Sequence, residues 1–123
     1  MLIAALLVAS GSALGGVLRW LTTLAIDRPV DGATPWLGTL AVNIIGCAAI
    51  GVAAALIREP QAKLFVMTGV LGGFTTFSAF ALQGVQLTSA GRHGEACACI
   101  GLSLAGCLAG TWAGLTLGAR FAG

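Results

Sequence analysis

The charged residues of this chain lie in a few short clusters, and long uncharged runs separate them. The uncharged runs cover residues 1–18, 36–57, 64–90 and 96–119. A helix rises about 1.5 Å per residue, so about 20 apolar residues cross the roughly 30 Å hydrocarbon core of a bilayer. Each run is long enough for one crossing, and the first can continue past Arg19 to Ile26. The pattern predicts four membrane-spanning helices.

The composition excludes the other broad classes of protein. Charged residues make up 8% and hydrophobic residues 58% of the 123 residues, whereas a soluble domain carries about 25% charged residues. Too few polar groups are present to cover the surface of a soluble globule. The net charge of +2 is too small to indicate a nucleic-acid partner. A membrane β-barrel would show alternating segments of about 10 residues, which the long runs do not resemble. We therefore expect an all-α membrane protein.

The connections between the runs leave no room for a soluble domain. They cover residues 27–35, 58–63 and 91–95, and each contains Pro or Gly. We expect one transmembrane domain, residues 1–123, with helices at about 2–26, 36–57, 62–90 and 95–120. The first run lacks the positively charged start of a signal peptide, so we expect a retained helix. Any function must then lie within the helix bundle.

The Lys and Arg residues near the helix ends barely specify an orientation. Three of them lie on the side of the two termini, and two or three lie on the other side, depending on where Arg19 reaches. Positive charge normally marks the cytoplasmic side. Two interpretations stay open: the insertion machinery selects one orientation, or the chain inserts both ways up.

Glycine stripes predict close helix packing. Gly106, Gly110, Gly114 and Gly118 repeat every four residues in the fourth run, and Gly11 and Gly15 do so in the first. Small residues at this spacing let two helices approach closely in a membrane. The partner helix could belong to the same chain or to a second copy.

Polar residues inside the second and fourth runs are candidates for function, because polar groups in lipid are costly. Thr39 and Asn43 are four residues apart and share a helix face. Ser103, Cys107 and Thr111 follow the same spacing. The alternative for Asn43 is a structural hydrogen bond between helices. The alternative for the hydroxyls is a bond to the carbonyl four residues earlier.

The third run contains the most informative segment, GVLGGFTTFSAF at residues 69–80. Gly-Gly followed by Thr-Thr forms helix poorly, so we expect a break at Gly72-Gly73 and the residues after it. Such a break frees carbonyls from Gly72 to Thr75 for a cation and creates a half-helix N-terminus that attracts anions. Phenyl edges carry positive potential, so Phe77 and Phe80 with nearby hydroxyls suit a small hydrated anion.

The sequence offers no constellation for catalysis. It holds one histidine, His93, in the last connection, and no Ser/His/Asp set or pair of carboxylates within the apolar runs. The four cysteines lie in apolar runs with spacings that do not match a metal site. We expect packing cysteines and no enzyme activity.

Three segments together resemble the Fluc/CrcB family of fluoride channels. They are GGVLRW at residues 15–20, GTLAVNIIG at residues 38–46, and GVLGGFTTFSAF at residues 69–80. The order and spacing of the segments also match. Two residues depart from the family pattern. Trp20 stands where tyrosine is usual, and Cys107 stands where a hydroxyl is expected.

The resemblance implies an antiparallel, dual-topology homodimer in the bacterial inner membrane that selects fluoride and confers fluoride resistance. It implies that Asn43, Phe77 and Phe80 line the pore and that Thr39 and Ser103 belong to a polar track. The hydroxyls of Thr76 and Ser78 join this set as neighbours of the phenyl pair. The carbonyls of Gly72 and Thr75 are implied to hold a structural sodium ion. Arg19 matches the arginine of the first helix, and its alternative role is to reach the membrane interface.

Three functions remain to be distinguished for a chain of this kind. The first is a passive fluoride channel. The second is a small proton-coupled multidrug exporter, which needs a carboxylate inside the membrane. All four acidic residues lie at loops or helix ends, which counts against this exporter: Asp27, Asp31, Glu59 and Glu95. The third is an assembly subunit without transport, and no residue in the sequence specifically supports it.

Overall fold

The computed structural model describes residues 1–27 and 35–122, and this part of the chain is helical. The elements are α1 (Leu2–Ile26), α2 (Leu37–Leu56), α3 (Pro60–Lys63), a π-helical segment (Leu64–Leu71), α4 (Gly72–Phe74), α5 (Phe77–Ser89) and α6 (His93–Phe121). The charged residues Arg28 and Asp31 of the first connection lie outside the described residues.

Four helical spans are long and apolar enough to cross a membrane. They are Leu2–Ile26, Leu37–Leu56, Pro60–Ser89 and His93–Phe121. The prediction of an all-α protein with four membrane spans is confirmed. Large apolar side chains such as Leu6 and Leu24 in α1 and Leu108 in α6 are exposed, which suits a surface that meets lipid instead of water.

Both glycine stripes pack against helices of the same chain. A Cβ on Gly106 would lie 2.6 Å from Ile44 of α2, and one on Gly114 would overlap the Ala48 carbonyl. In α1, a Cβ on Gly11 would lie 2.5 Å from the Phe65 carbonyl of the third span. The glycines thus let α6 lie on α2 and α1 lie on the third span, which answers the question that the sequence left open.

The third span is irregular from its first turn. The Glu59 carboxylate accepts a hydrogen bond from the Ala62 N–H at 2.5 Å, and Pro60 occupies the first turn, so α3 begins with a favourable cap. The following Leu64–Leu71 segment is π-helical. Such segments are rare and often accompany functional sites.

The break in the third span lies at Thr75 and Thr76, two residues beyond the glycine pair where we expected it. Both threonines are extended, with ψ of 158° and 115°, whereas Gly72 and Gly73 remain helical. Gly73 is needed for packing, because a Cβ there would lie 2.5 Å from the Ser12 carbonyl. The Thr76 hydroxyl accepts a hydrogen bond from the Ala79 N–H at 3.2 Å and caps α5. The predicted break near the middle of the third span is confirmed, but its placement at the Gly72-Gly73 pair was wrong.

The most buried apolar cluster holds α5 against the start of α6. It consists of Phe80, Leu87, Ala96 and Cys99, with Trp36 packed against it. One of the two phenyl rings predicted to line a pore therefore also belongs to the core.

Candidate ion pathway

Two cavities lie on either side of the break and share Thr76 as a wall. The first, which we name the polar cavity, has a volume of about 490 Å³. The second, which we name the phenyl cavity, has a volume of about 300 Å³. The polar cavity is lined by Arg19, Thr23, Asp27, Pro35, Thr39, Thr76, Ser78, Ala79 and Gln83. The phenyl cavity is lined by Asn43, Cys47, Thr75, Thr76, Phe77, Phe80, Ser103, Leu104, Cys107 and Leu108.

The residues predicted to contact an anion all line one cavity or the other. Thr39 and Ser78 lie in the polar cavity with Arg19. Asn43 and the two phenylalanines lie in the phenyl cavity with Ser103. Thr76 belongs to both. Four separate helices contribute these side chains, so the fold brings together residues far apart in the sequence.

Asn43 links α2 to the break through two hydrogen bonds. Its Nδ2 donates to the Thr76 carbonyl at 2.9 Å, and its Oδ1 accepts from the Thr76 N–H at 2.7 Å. These partners allow only one orientation of the amide, because a carbonyl cannot donate and an N–H cannot accept. Nδ2 carries two hydrogens, and only one is used in this pairing. Asn43 lines the phenyl cavity, so the second hydrogen can serve an ion there.

The hydroxyls of Thr76 and Ser78 supply at least one more donor. Their oxygens lie 3.2 Å apart, and either can donate to the other. Two hydroxyls joined by one hydrogen bond use one proton and leave the second. Both side chains line the polar cavity, so the remaining proton can serve an ion there.

The rings of Phe77 and Phe80 are neighbours in a tilted arrangement. Their centroids lie 5.3 Å apart and their planes are tilted by 59°. Phe80 is 9% exposed and packs in the core, whereas Phe77 is 75% exposed. A tilted pair presents ring edges as well as faces to the phenyl cavity, and the edges carry the positive part of the quadrupole.

Two of the three residues in the predicted polar track of α6 line the phenyl cavity, and Thr111 does not. Ser103 is buried and lines the phenyl cavity, as does Cys107. The Thr111 hydroxyl donates to the Cys107 carbonyl at 3.0 Å. This is the bond to the carbonyl four residues earlier that the sequence offered as an alternative.

Arg19 reaches the break in the third span from α1. Its Nη1 donates to the Thr75 carbonyl at 3.1 Å, and its side chain lines the polar cavity. The Thr75 hydroxyl donates to the Leu71 carbonyl at 3.0 Å. Arg19 therefore stabilises the extended peptide and supplies the positive charge of the polar cavity.

The break also bears on the predicted sodium site. Helix α4 ends at Phe74, and the last carbonyls of a helix lack N–H partners in the next turn and carry partial negative charge. Gly72 is exposed, and Thr75 is half-buried. Within residues 1–27 and 35–122, no three His, Cys, Asp or Glu side chains cluster as metal ligands. The sodium ion implied at the carbonyls of Gly72 and Thr75 therefore stays a prediction.

Gln83 is a wall residue of the polar cavity that the sequence reasoning missed. Its Nε2 donates to the Pro35 carbonyl and to the Thr39 hydroxyl, both at 2.9 Å. Its Oε1 is buried and has no hydrogen-bond partner in the described ranges. Gln83 lies three residues after Phe80, so helical spacing placed it on the same face, but the recognised segment ended at Phe80.

Asp27 is the second missed residue. Its Oδ1 accepts from the Gly38 N–H at 2.8 Å, which ties the end of α1 to the first turn of α2. Its carboxylate also lines the polar cavity with Arg19. The sequence placed Asp27 correctly at a helix end but carried no sign that the helix end faces a cavity.

Comparisons with known proteins agree on one family. The family model described as "CrcB-like protein, Camphor Resistance (CrcB)" matches residues 6–115. A protein of Rhizobium johnstonii named "Fluoride-specific ion channel FluC" is 45% identical, with 89% of this chain and 94% of that protein covered. Proteins of the same name from Neisseria meningitidis serogroup B and Agrobacterium fabrum are each 44% identical. The first match covers 89% of both chains, and the second covers 91% of this chain and 93% of the other.

Proposed function

The chain belongs to the CrcB family, and we propose that it is a fluoride-selective channel through which fluoride leaves the cytoplasm passively. The relatives are named as fluoride-specific ion channels, and a channel is not an enzyme. Four apolar spans in this family correspond to a multi-pass protein of a bacterial membrane. Passive efflux lowers the concentration of fluoride inside the cell and so its toxicity.

The pairing of Asn43 with Thr76 is the observation that carries the proposal. It holds the broken backbone in place and uses only one of the two amide hydrogens of Asn43, which lines the phenyl cavity. An anion that crosses the bilayer must exchange its water for other donors. The amide, the hydroxyls and the phenyl edges offer such donors without a full positive charge. Binding can then be strong enough for entry and weak enough for exit.

The order of the cavities suggests a route for the ion. Arg19 raises the local concentration of anions in the polar cavity by electrostatic attraction. At Thr76 the ion passes to the phenyl cavity, where Asn43, Ser103 and the ring edges replace its water. Asp27 shares the polar cavity, but one of its oxygens is engaged by the Gly38 N–H. We assign this carboxylate to anchoring α2.

The exporter alternative has no support from the comparisons. The relatives named above are fluoride channels, and none of those names describes a drug exporter. Proton-coupled export would also require a carboxylate that is free to exchange protons for a cationic drug. Asp27 instead accepts a backbone hydrogen bond across two helices.

A homodimer completes the proposed pathway. Phe77 is a large apolar side chain with 75% of its surface exposed at the wall of an open cavity. A second copy that covers this face would enclose the ion path. An antiparallel arrangement is consistent with the weak charge bias, because a chain that inserts both ways up supplies both partners.

A structural sodium ion at the dimer centre is a further part of the proposal. The carbonyls of Gly72 and Thr75 would hold it, with the same atoms contributed by the second copy. A bound cation would balance the partial negative charge at the end of α4. It would also fix the break from which the anion donors project.

An efflux assay in liposomes tests the channel. Vesicles loaded with potassium fluoride or potassium chloride receive the purified protein, and a potassium ionophore starts the flux. We expect rapid fluoride efflux, chloride efflux near that of protein-free vesicles, and dependence on the ionophore. Equal chloride efflux would contradict fluoride selectivity. Fluoride efflux without the ionophore would contradict a passive electrogenic pore.

A further inference from the structure

Thr39 is a buried threonine of α2 whose hydroxyl does not bond to the carbonyl four residues earlier. Five other threonines make this bond, with 2.8 to 3.1 Å between the two oxygens. It uses up the hydroxyl hydrogen within the local backbone. Thr39 is only 4% exposed, so bulk water does not explain its different arrangement. The five threonines are Thr22, Thr23, Thr75, Thr88 and Thr111.

The amide of Gln83 on α5 explains the difference. Its Nε2 donates to the Pro35 carbonyl, which lies four residues before Thr39, and to the Thr39 hydroxyl oxygen, both at 2.9 Å. Because the carbonyl can only accept, the nitrogen of the amide must face this pair. Gln83 therefore bonds to the acceptor that Thr39 would otherwise use, and the Thr39 oxygen accepts a hydrogen bond from the same nitrogen.

This arrangement leaves the hydrogen of the Thr39 hydroxyl for the polar cavity. A hydroxyl oxygen that accepts one hydrogen bond still has its own hydrogen to donate, and no acceptor for it lies among residues 1–27 and 35–122. Thr39 lines the polar cavity with Arg19, Thr76 and Ser78. Since a buried donor without a partner is costly, the hydrogen is available to an anion in that cavity.

The Gln83 amide has no donor of its own for an anion. Both hydrogens of Nε2 are used by Pro35 and Thr39. Its Oε1 is buried, has no partner in the described part of the chain, and can only accept, so it would repel an anion. An effect of Gln83 on fluoride must therefore act through the Thr39 hydroxyl.

We propose that Gln83 is a positioning residue of the ion pathway, and that its two hydrogen bonds make the Thr39 hydroxyl a donor to fluoride in the polar cavity. This role rests on the proposed channel function. Thr39 lies four residues before Asn43 on the same face of α2, which is about 6 Å along the helix axis. The hydroxyl thus provides a donor on the way to the Asn43 amide in the phenyl cavity.

Removal of the Gln83 amide should return Thr39 to the usual bond. The Pro35 carbonyl then loses its partner from α5, and the Thr39 hydroxyl can donate to it as the five other threonines do to their carbonyls. The polar cavity would lose a donor although Thr39 itself is unchanged. Loss of Gln83 and loss of the Thr39 hydroxyl should therefore have the same effect on fluoride.

A double-mutant cycle measured by fluoride efflux from liposomes tests this equivalence. Gln83→Met keeps the length of the side chain without its donors, and Thr39→Val keeps the shape of the side chain without the hydroxyl. Each variant should slow fluoride efflux about tenfold, because each removes one hydrogen bond to a charged ion. The double variant should also be about tenfold slower, since the second change removes a donor that is already lost. Gln86→Met, an exposed glutamine on the same helix, is the matched control and should keep the wild-type rate.

Independent losses would overturn the proposal. A glutamine that only packs α5 against α2 would act separately from the Thr39 hydroxyl, and the double variant would then be about a hundredfold slower. Wild-type efflux in Gln83→Met would overturn the proposal as well. Absence of fluoride efflux in the wild-type protein would instead contradict the proposed function, and with it the role of Gln83 in transport.

A crystal structure of Gln83→Met tests the positioning without any transport. We expect the Thr39 side chain to rotate until its Oγ1 lies about 3 Å from the Pro35 carbonyl oxygen. The Gln86→Met control should keep the wild-type rotamer of Thr39. A Thr39 rotamer in Gln83→Met that matches the wild type would overturn the positioning role even if fluoride efflux falls.

Discussion

Asn43 holds Thr76 by both backbone atoms of that residue, through an Oδ1 contact of 2.7 Å to its N–H and an Nδ2 contact of 2.9 Å to its carbonyl. Helix α2 thereby supplies the hydrogen bonds that the broken third span cannot make for itself. A buried and unpaired peptide would cost about 1–3 kcal/mol per polar group. Asn43 therefore has a structural role in addition to the ion-binding role proposed for it.

Replacing Asn43 by aspartate separates these roles only in part, and its effect should be large. The Asn43→Asp carboxylate keeps the acceptor for the Thr76 N–H, loses the donor to its carbonyl, and places negative charge in the phenyl cavity. A hydrogen bond to a charged ion contributes about 1.5–3 kcal/mol, so we expect fluoride efflux to fall about 10- to 100-fold. Thr111→Ala is the control, because Thr111 bonds only to the Cys107 carbonyl. Wild-type efflux in Asn43→Asp would contradict this role.

Replacement by leucine should affect the two phenylalanines differently. Phe77 is 75% exposed, so Phe77→Leu should change the free energy of unfolding by less than about 0.5 kcal/mol. Loss of the ring edge should lower fluoride efflux about 3- to 10-fold. Phe80 is buried, so Phe80→Leu should also destabilise the fold by about 1 kcal/mol or more. Thermal unfolding in detergent and liposome efflux measure the two effects. Full efflux in Phe77→Leu would exclude the ring from the pathway.

We expect the positive charge of Arg19 to speed the entry of the anion. Arg19→Gln removes the positive charge from the polar cavity, and we expect about tenfold slower efflux at low ionic strength. An impermeant salt at high concentration should shrink the difference between variant and wild type, because salt screens the attraction. Arg19→Lys should retain most of the rate at low salt. A defect in Arg19→Gln that does not change with salt would indicate a positioning role through the Thr75 carbonyl alone.

The glycine stripe of α6 provides a matched pair of substitutions. A Cβ on Gly114 would overlap the Ala48 carbonyl, whereas a Cβ on Gly101 meets nothing within 4 Å. Gly114→Ala should destabilise the fold by about 1–3 kcal/mol through overpacking. Gly101→Ala should be neutral or slightly stabilising. Thermal unfolding of the two variants in the same detergent gives the comparison, and equal melting temperatures would contradict the close contact between α2 and α6.

Sodium removal tests the proposed cation at the break. When a large organic cation replaces sodium, the proposed dimer should dissociate at a lower temperature, because the carbonyls of α4 lose their ligand. Size-exclusion chromatography after heating steps follows the dimer, and potassium at the same ionic strength serves as the control. A dimer equally stable in all three buffers would exclude a structural sodium ion.

The number of spans was predictable because charge clusters and uncharged runs determine it directly. The residues around the cavities were predictable from short segments, because Asn43, Phe77 and Phe80 lie within recognisable stretches of sequence. The exact place of the break was not. Gly72 and Gly73 are poor helix formers, yet both are helical in the structure. Gly73 serves packing, because its missing side chain lets α1 approach. Propensity alone cannot distinguish a glycine that breaks a helix from one that permits packing.

Gln83 and Asp27 were missed for a different reason. Each acts through a partner far along the chain: Gln83 through Pro35 and Thr39, and Asp27 through Gly38. Such contacts depend on the way the helices pack, which local patterns do not contain. The same holds for Arg19, whose contact with Thr75 spans 56 residues.

The glycine contacts divide the molecule into two rigid pairs, one of α1 with the first half of the third span and one of α2 with α6. Backbone touches backbone within each pair, so neither pair can bend without a steric clash. The contact between the pairs consists of side chains, a few hydrogen bonds and the approach of Gly38 to the Thr23 backbone, and both cavities lie along it. A small displacement of one pair relative to the other would therefore widen or narrow both cavities without bending any helix.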